Sequence, residues 1–207
     1  MPDKQYDNFN KEHIKARWQN YLDNIKIVHP LLLKAIEIVD SKNIELKSAL
    51  DIGCGPGNEV NFLIKNRNIN TIALDYNKEC LNKISSNFPD LINNPLFSFE
   101  HARIENFEWK QTDLMISLKV LPFLDKHIYL KILENVKNNL SPNGVFVASV
   151  FGEDDEWKDL QLCSSADIKN NFKGFKELYF KEQKGKGKTA SGKIKKMHLI
   201  DFIYQKQ

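Results

Sequence analysis

The sequence predicts an α/β fold: a mostly parallel sheet, helices on both faces, and an antiparallel hairpin at the C-terminal end. Three observations carry this. Short apolar segments alternate with helical patterns through the middle of the chain, as βαβ units do. The first clear apolar segment runs into three glycines spaced two apart, in Ala49-Leu50-Asp51-Ile52-Gly53-Cys54-Gly55-Pro56-Gly57-Asn58. Near the end, two extended segments follow one another with no helix between them, and strands joined directly pair antiparallel.

Residues 10–42 read as helical, with Ile14, Trp18, Tyr21, Leu22, Ile25 and Val28 near 3.6-residue spacing. Pro30 is expected to break that helix, leaving a second one over Leu31–Val39. Lys47–Ile52 is the first strand and Glu59–Asn66 the helix after the glycine turn. Asn70–Asp75 is a strand ending in an acid, and Lys78–Phe88 a helix stopped by Pro89. Leu96–Phe99 and Thr112–Ser117 follow as strands. Leu114, Met115 and Ile116 form the continuous apolar run of a strand buried on both faces. Asp125–Leu140 is helical, Pro142-Asn143-Gly144 a turn, and Val145–Val150 a β-branched fifth strand. Phe175–Gln183 and Ile194–Tyr204 make the terminal pair, joined by a Lys, Gly, Ser and Thr loop over Lys184–Lys193.

A chain of 207 residues is expected to form one domain, 1–207. Within it, 1–42 is a helical N-terminal cap, 47–150 the core around the glycine turn, and 151–207 a loop followed by the hairpin. A hydrophobic content of 42% with 28% charged residues is ordinary for a globular protein. The net charge of +3 is too small to argue for nucleic acid. Three scattered cysteines, Cys54, Cys80 and Cys163, form no C-x-x-C pair, which points to free thiols, a reducing compartment and no metal site. The polar N-terminus and the lack of a long apolar run predict a cytoplasmic protein without a membrane span.

The glycine turn carries the chemistry. Glycines let the backbone approach a ligand and adopt positive φ, and a strand–turn–helix of this kind cradles nucleotides in open α/β sheets. A dinucleotide site has G-x-G-x-x-G, whereas this turn is G-x-G-x-G. Pro56 lacks an N–H for a pyrophosphate, and Asn58 stands where a nicotinamide site would need its third glycine. The string Leu-Asp-Ile-Gly-Cys-Gly-Pro-Gly resembles motif I of the class I S-adenosylmethionine-dependent methyltransferases. The order of elements is similar to that family's Rossmann-like fold, a seven-stranded sheet closed by one antiparallel hairpin.

The resemblance implies S-adenosylmethionine as cofactor and S-adenosylhomocysteine as product. It places Asp51, Gly53, Cys54, Gly55 and Gly57 around the cofactor. Asp75, 18 residues past Gly57, would accept the ribose hydroxyls, although a strand-end Asp also caps helices well. Tyr76 would stack on adenine. His101 stands where many members carry an Asp for the adenine amino group, which leaves the backbone of Ala102 and Arg103 to read that edge. Ile116-Ser117-Leu118-Lys119 resembles motif IV, with Ser117 and Leu118 facing the methionine part. Lys119 is expected to point its ammonium into solvent, since like charges repel a sulfonium. Leu140-Ser141-Pro142-Asn143-Gly144 resembles the family's L-x-P-G-G turn.

Phe151-Gly152-Glu153-Asp154-Asp155-Glu156-Trp157 leaves the carboxyl end of a strand, where ligands bind in such sheets, although a run of four acids is also what a solvated loop looks like. Its G-x-x-D-x-W pattern resembles small-molecule methyltransferases of the tellurite-resistance-like group, which makes Asp155 a candidate catalytic residue and Trp157 a candidate for the acceptor pocket. His198, in the last strand, is a candidate base; a strand His beside Met and Leu also serves as a structural hydrogen bonder. The resemblance also implies an N-terminal helix that closes over the cofactor, with Arg17, Trp18 and Tyr21 on that face and Trp18 and Tyr21 as candidates for substrate binding; plain helix packing is the alternative.

Gly185-Lys186-Gly187-Lys188-Thr189 looks like the end of a P-loop but lacks its first glycine, position 182 being Glu. Residues 181–207 hold eight lysines against two acids, a pattern that suits a solubilised sheet edge better than RNA. The expected function is methyl transfer to a small molecule. The alternatives are an RNA or protein methyltransferase and a non-catalytic module that binds the cofactor. Neither the acceptor nor the oligomeric state can be read from the spacing.

Overall fold

The computed structural model describes residues 27–189 and 192–207. The helical pattern before residue 27, with Trp18 and Tyr21, lies outside the described residues. The first described helix, α1 (Pro30–Ser41), begins at Pro30. Proline has no N–H to lose at a first helical position, so Pro30 itself opens the second helix expected over Leu31–Val39, with residues 27–29 non-helical before it. His29 caps α1, its Nδ1 accepting from the Leu31 N–H at 3.2 Å.

β1 (Ser48–Ile52), α2 (Asn58–Arg67), β2 (Asn70–Asp75), α3 (Glu79–Asn87), β3 (Phe97–His101), β4 (Thr112–Leu118), α4 (Lys126–Asn139), β5 (Leu140–Phe151), α5 (Ser165–Asn171), β6 (Lys176–Lys188) and β7 (Ile194–Gln205) follow in order. They build a seven-stranded sheet in the order β3-β2-β1-β4-β5-β7-β6. All pairs from β3 to β5 are parallel, and β7 is antiparallel to both β5 and β6. Seven strands, mostly parallel and closed by one C-terminal antiparallel hairpin, match the fold that the resemblance implied.

Period-2 alternation fixes which helix each strand residue meets. Leu114 and Ile116 of β4 pack with Leu31, Leu32 and Ala35 of α1 and Leu63 of α2. Met115 between them packs with Ile128, Ile132 and Val136 of α4, beside Phe146, Phe172 and Phe202. Val60 and Ile64 of α2 and Cys80 and Ile84 of α3 cover Ala73 of β2. Thus α1, α2 and α3 lie on one face and α4 and α5 on the other.

Two expectations are corrected, and one helix is new. Leu140–Gly144 is a bulged start to β5, not a free turn. Its pairing jumps from Thr112↔Leu140 to Leu114↔Val145, and Asn143 takes φ 63° while its N–H donates to the Lys206 carbonyl. The first half of the Lys184–Lys193 loop is strand: pairing continues to Lys188↔Ile194, because the two segments keep satisfying one another's backbone. The helix α5 was not anticipated. It is seven residues long and rests on a capping box in which Ser164 and Asp167 bond each other's backbone N–H.

β5 stops opposite Leu199. Five more residue pairs, Lys184↔His198 to Lys188↔Ile194, therefore carry the hairpin past the carboxyl edge of the sheet. At ~3.3 Å per residue the overhang is about 17 Å.

Candidate functional site

The carboxyl ends of β1, β2, β4 and β5 share one edge, and the order reverses between β1 and β4, the switch point where such sheets bind ligands. The glycine turn sits there. Gly53, Gly55 and Gly57 have φ of 72°, 51° and 80°, a region L side chains enter only with strain. A Cβ on Gly53 would meet Val120 Cγ2 at 2.4 Å, and one on Gly57 would meet Ile84 Cγ1 at 2.5 Å. The turn's N–H groups are used internally. Those of Gly53 and Cys54 donate to the Leu74 carbonyl at 2.8 and 3.1 Å, and that of Gly57 to the Cys54 carbonyl at 3.1 Å. That of Gly55 donates to Asp75 Oδ2 at 3.2 Å. Such a turn is not a phosphate cradle.

Asp51 is buried at the tip of β1, and its Oδ2 makes no hydrogen bond. Burial pushes its carboxyl well above the ordinary range, and Glu59 and Asp75 add to the shift. Asp75 is buried at the tip of β2 and also raised by burial; its Oδ1 accepts from the Asn77 N–H at 2.9 Å. Tyr76 follows it and is 43% exposed. On β3, His101 Nε2 meets the Tyr76 carbonyl at 3.0 Å, so this ring ties two loops together. The Ala102 N–H is committed to the Asp75 and Glu100 carbonyls at 3.2 and 3.1 Å. Arg103 stands just before a short 3₁₀ turn, Ile104–Asn106.

Ser117 is buried at the end of β4 with an unpartnered Oγ, and Leu118 is half-buried beside the α1 cluster. Lys119 is half-buried rather than extended freely into solvent. It takes φ 63°, its N–H donates to the Ser149 carbonyl at 3.0 Å, and burial lowers its ammonium's pKa against the pull of Asp201 and Glu59. Glu59, at the start of α2, accepts from the His29 N–H at 2.8 Å. Burial, helped by the Lys119 charge, pulls His29 down to about 4.

The other two candidate groups meet one another, but as a structural knot. Asp155 and Lys195 form a fully buried ion pair. Asp155 Oδ1 also accepts from the Trp157 N–H, and Oδ2 from the His198 N–H, each at 3.0 Å. The Lys195 ammonium lies 4.0 Å from the Trp157 ring centroid and 4.9 Å from that of Phe151. His198 Nδ1 accepts from the Asp154 N–H at 3.0 Å, and Nε2 pairs with Glu182 Oε1 at 2.8 Å. With both ring nitrogens engaged, His198 has no lone pair left for a substrate proton. Asp155 is equally committed. Trp157 remains at the carboxyl edge, edge-on to Phe151 with centroids 5.5 Å apart.

The residues that sequence reasoning missed are His29, Glu59, Lys195 and Asp201. Lys195 and Asp201 carried a signal: both share strand parity with Leu199, whose partner on β5 is an inner-sheet residue. Among the described residues no cluster of three or more metal-ligating side chains occurs, and no helix is long and apolar enough to cross a membrane.

Residues 45–200 match the family described as "Methyltransferase domain". No curated protein sequence matches the chain. Among solved structures the fold is similar to TehB from Haemophilus influenzae, with TM-score 0.72 and 20% identity over 99% of this chain and 68% of that one. It is also similar to the N-methyltransferase NodS from Bradyrhizobium japonicum, solved with S-adenosylhomocysteine, with TM-score 0.66 and 14% identity over 99% of each chain. A third is the Burkholderia thailandensis 1,6-didemethyltoxoflavin-N1-methyltransferase, with TM-score 0.67 and 13% identity over 98% of this chain and 89% of that one.

Proposed function

This chain belongs to the class I S-adenosylmethionine-dependent methyltransferases, and we propose that it moves the cofactor's methyl group to a small-molecule acceptor by in-line displacement. S-adenosylmethionine supplies a methyl group already activated on a sulfonium, which leaves positioning and exclusion of water as the protein's main work.

The observation that carries this reading is the buried carboxyl at the β1 tip. Asp51 Oδ2 has no partner, and a buried acceptor without a hydrogen bond costs about 1–3 kcal/mol. A cationic ligand end removes that cost. Asp51 and the unpartnered Ser117 Oγ suit the amino end of the cofactor, with Leu118 packing beside it. Asp75 suits the ribose, and Tyr76 and Arg103 the adenine side. Gly53, Cys54, Gly55 and Gly57 supply backbone surface without Cβ bulk at the glycines.

A small acceptor is supported by similar folds that act on small molecules, such as the didemethyltoxoflavin enzyme and a magnesium protoporphyrin IX methyltransferase. Trp157 and Phe151 offer an aromatic wall on the acceptor side. Neither Asp155 nor His198 is free to act as base, and an acceptor whose nucleophile is deprotonated at neutral pH needs none.

Calorimetry tests the cofactor half: S-adenosylmethionine and S-adenosylhomocysteine should bind one to one, and NAD should not. Formation of S-adenosylhomocysteine across thiol, amine, hydroxyl and carboxylate acceptors tests the second half. Cofactor binding with no turnover on any of them would favour a non-catalytic module.

A further inference from the structure

The carboxyl edge holds a second polar group, one to three strands away from the glycine turn. Lys119 directly follows β4, near the starts of α1 and α2. Its charge acts on His29 and Glu59, and Asp201 acts on it. Yet its ammonium makes no hydrogen bond or ion pair among the described residues. Asp201 lies opposite Ser149 on the β5–β7 pair. The Oδ1 of the first and the Oγ of the second are buried and unpartnered. One cationic group and two buried polar atoms thus meet near the carboxyl edge on adjacent strands, and the two buried atoms, Asp201 Oδ1 and Ser149 Oγ, cost stability until something binds them.

We propose that Lys119 and Asp201 form a subsite for an amino-carboxylate group, the ligand's carboxylate on Lys119 and its ammonium on Asp201 and Ser149. Opposite charges set side by side fit a zwitterion better than a simple anion, which Asp201 and Glu59 would repel. At ~4.8 Å between strands, β5 and β7 stand about 10 and 14 Å from β1. That distance favours the acceptor as the source of the group over the cofactor's own methionine end. The inference rests on the methyltransferase reading and names the chemistry that anchors the acceptor.

The test uses the full chain and two variants, Lys119→Met and Asp201→Asn. Wild type must first bind S-adenosylhomocysteine; if it does not, the methyltransferase reading itself fails. The cofactor arm compares the dissociation constants of S-adenosylmethionine and its decarboxylated analogue. The acceptor arm follows the melting temperature of the S-adenosylhomocysteine-loaded wild type against α-amino acids, their amides and their decarboxylated amines. If the acceptor supplies the group, intact amino acids raise the melting temperature and amides and amines do not. Lys119→Met then abolishes the shift while cofactor affinity stays within twofold. If the cofactor supplies it, Lys119→Met weakens S-adenosylmethionine tenfold or more and leaves the decarboxylated analogue unchanged. The proposal is overturned if neither variant changes any of these affinities and wild type does not distinguish amino acids from their amides. The wild-type panel stands even if a variant fails to fold.

Discussion

At the scale of single residues, Gly53 separates two costs that glycine substitutions usually mix. A methyl group there meets Val120 and must also sit at φ 72°. At Gly174 the φ is 92° but nothing lies within 4 Å. Gly174→Ala should therefore lose only the left-handed penalty, about 1–2 kcal/mol in a urea titration, with cofactor affinity unchanged. Gly53→Ala should lose more and bind S-adenosylhomocysteine at least tenfold more weakly. His29 gives a pH signature. Its folded pKa of about 4 lies below the ordinary 6.5, so between these values the unfolded chain holds a proton that the folded chain does not. The stability is fully present above pH 6.5 and is lost as pH falls through 4, on the order of 3 kcal/mol in all. His29→Asn can keep the cap and cannot titrate, so its unfolding midpoint should fall less over this window. Asp51 and Glu59 shift the other way, raised by burial. A cationic ligand brings them back down, so S-adenosylmethionine should release protons on binding. Calorimetry in buffers of different ionisation enthalpy should show this, with less release for S-adenosylhomocysteine, which lacks the sulfonium charge.

At the scale of elements, the loop after β5 and the overhanging hairpin are one unit. Where β5 stops, the loop takes its place along β7. The Gly152 N–H donates to the His198 carbonyl at 2.7 Å and the Glu156 N–H to the Lys196 carbonyl at 3.2 Å, while the Lys196 N–H donates to Glu156 Oε2 at 2.9 Å. A Cβ on Gly152 would meet the His198 ring at 2.3 Å, so glycine lets the loop pass this close. The Asp155–Lys195 pair locks the two segments from inside. Asp155→Ala leaves a buried ammonium without its partner and should cost about 3–5 kcal/mol in urea denaturation. Asp155→Leu with Lys195→Met removes both charges and should recover most of that. On the outer edge, β6 is broken up by Lys181, Lys184, Lys186 and Lys188, which discourages pairing with a second sheet.

At the scale of the whole molecule, a cofactor that binds only the folded chain stabilises it by about 2.7 kcal/mol at 100 times its dissociation constant. For a chain of this size that is about 5–10 °C in melting temperature, readable by thermal denaturation with S-adenosylhomocysteine and absent with NAD. Strand and helix positions from Ala49 to Val150 were legible because apolar periodicity and glycine spacing are local. The turn, Asp75 at a strand tip and the order of elements along the chain could be read without coordinates for the same reason, whereas the order of strands within the sheet could not. Lys119 was misread because its surroundings come from α1, α2 and β7, up to 90 residues away along the chain from His29 to Lys119. Asp155 and His198 were read as reactive because residue type alone does not reveal what occupies a carboxylate oxygen or a ring nitrogen. The sequence by itself determined the fold, the glycine turn and the family, all written in short-range pattern. Only the tertiary structure decided which polar groups at that edge are already satisfied and which are not, because hydrogen bonds and burial depend on neighbours that the chain brings together only on folding.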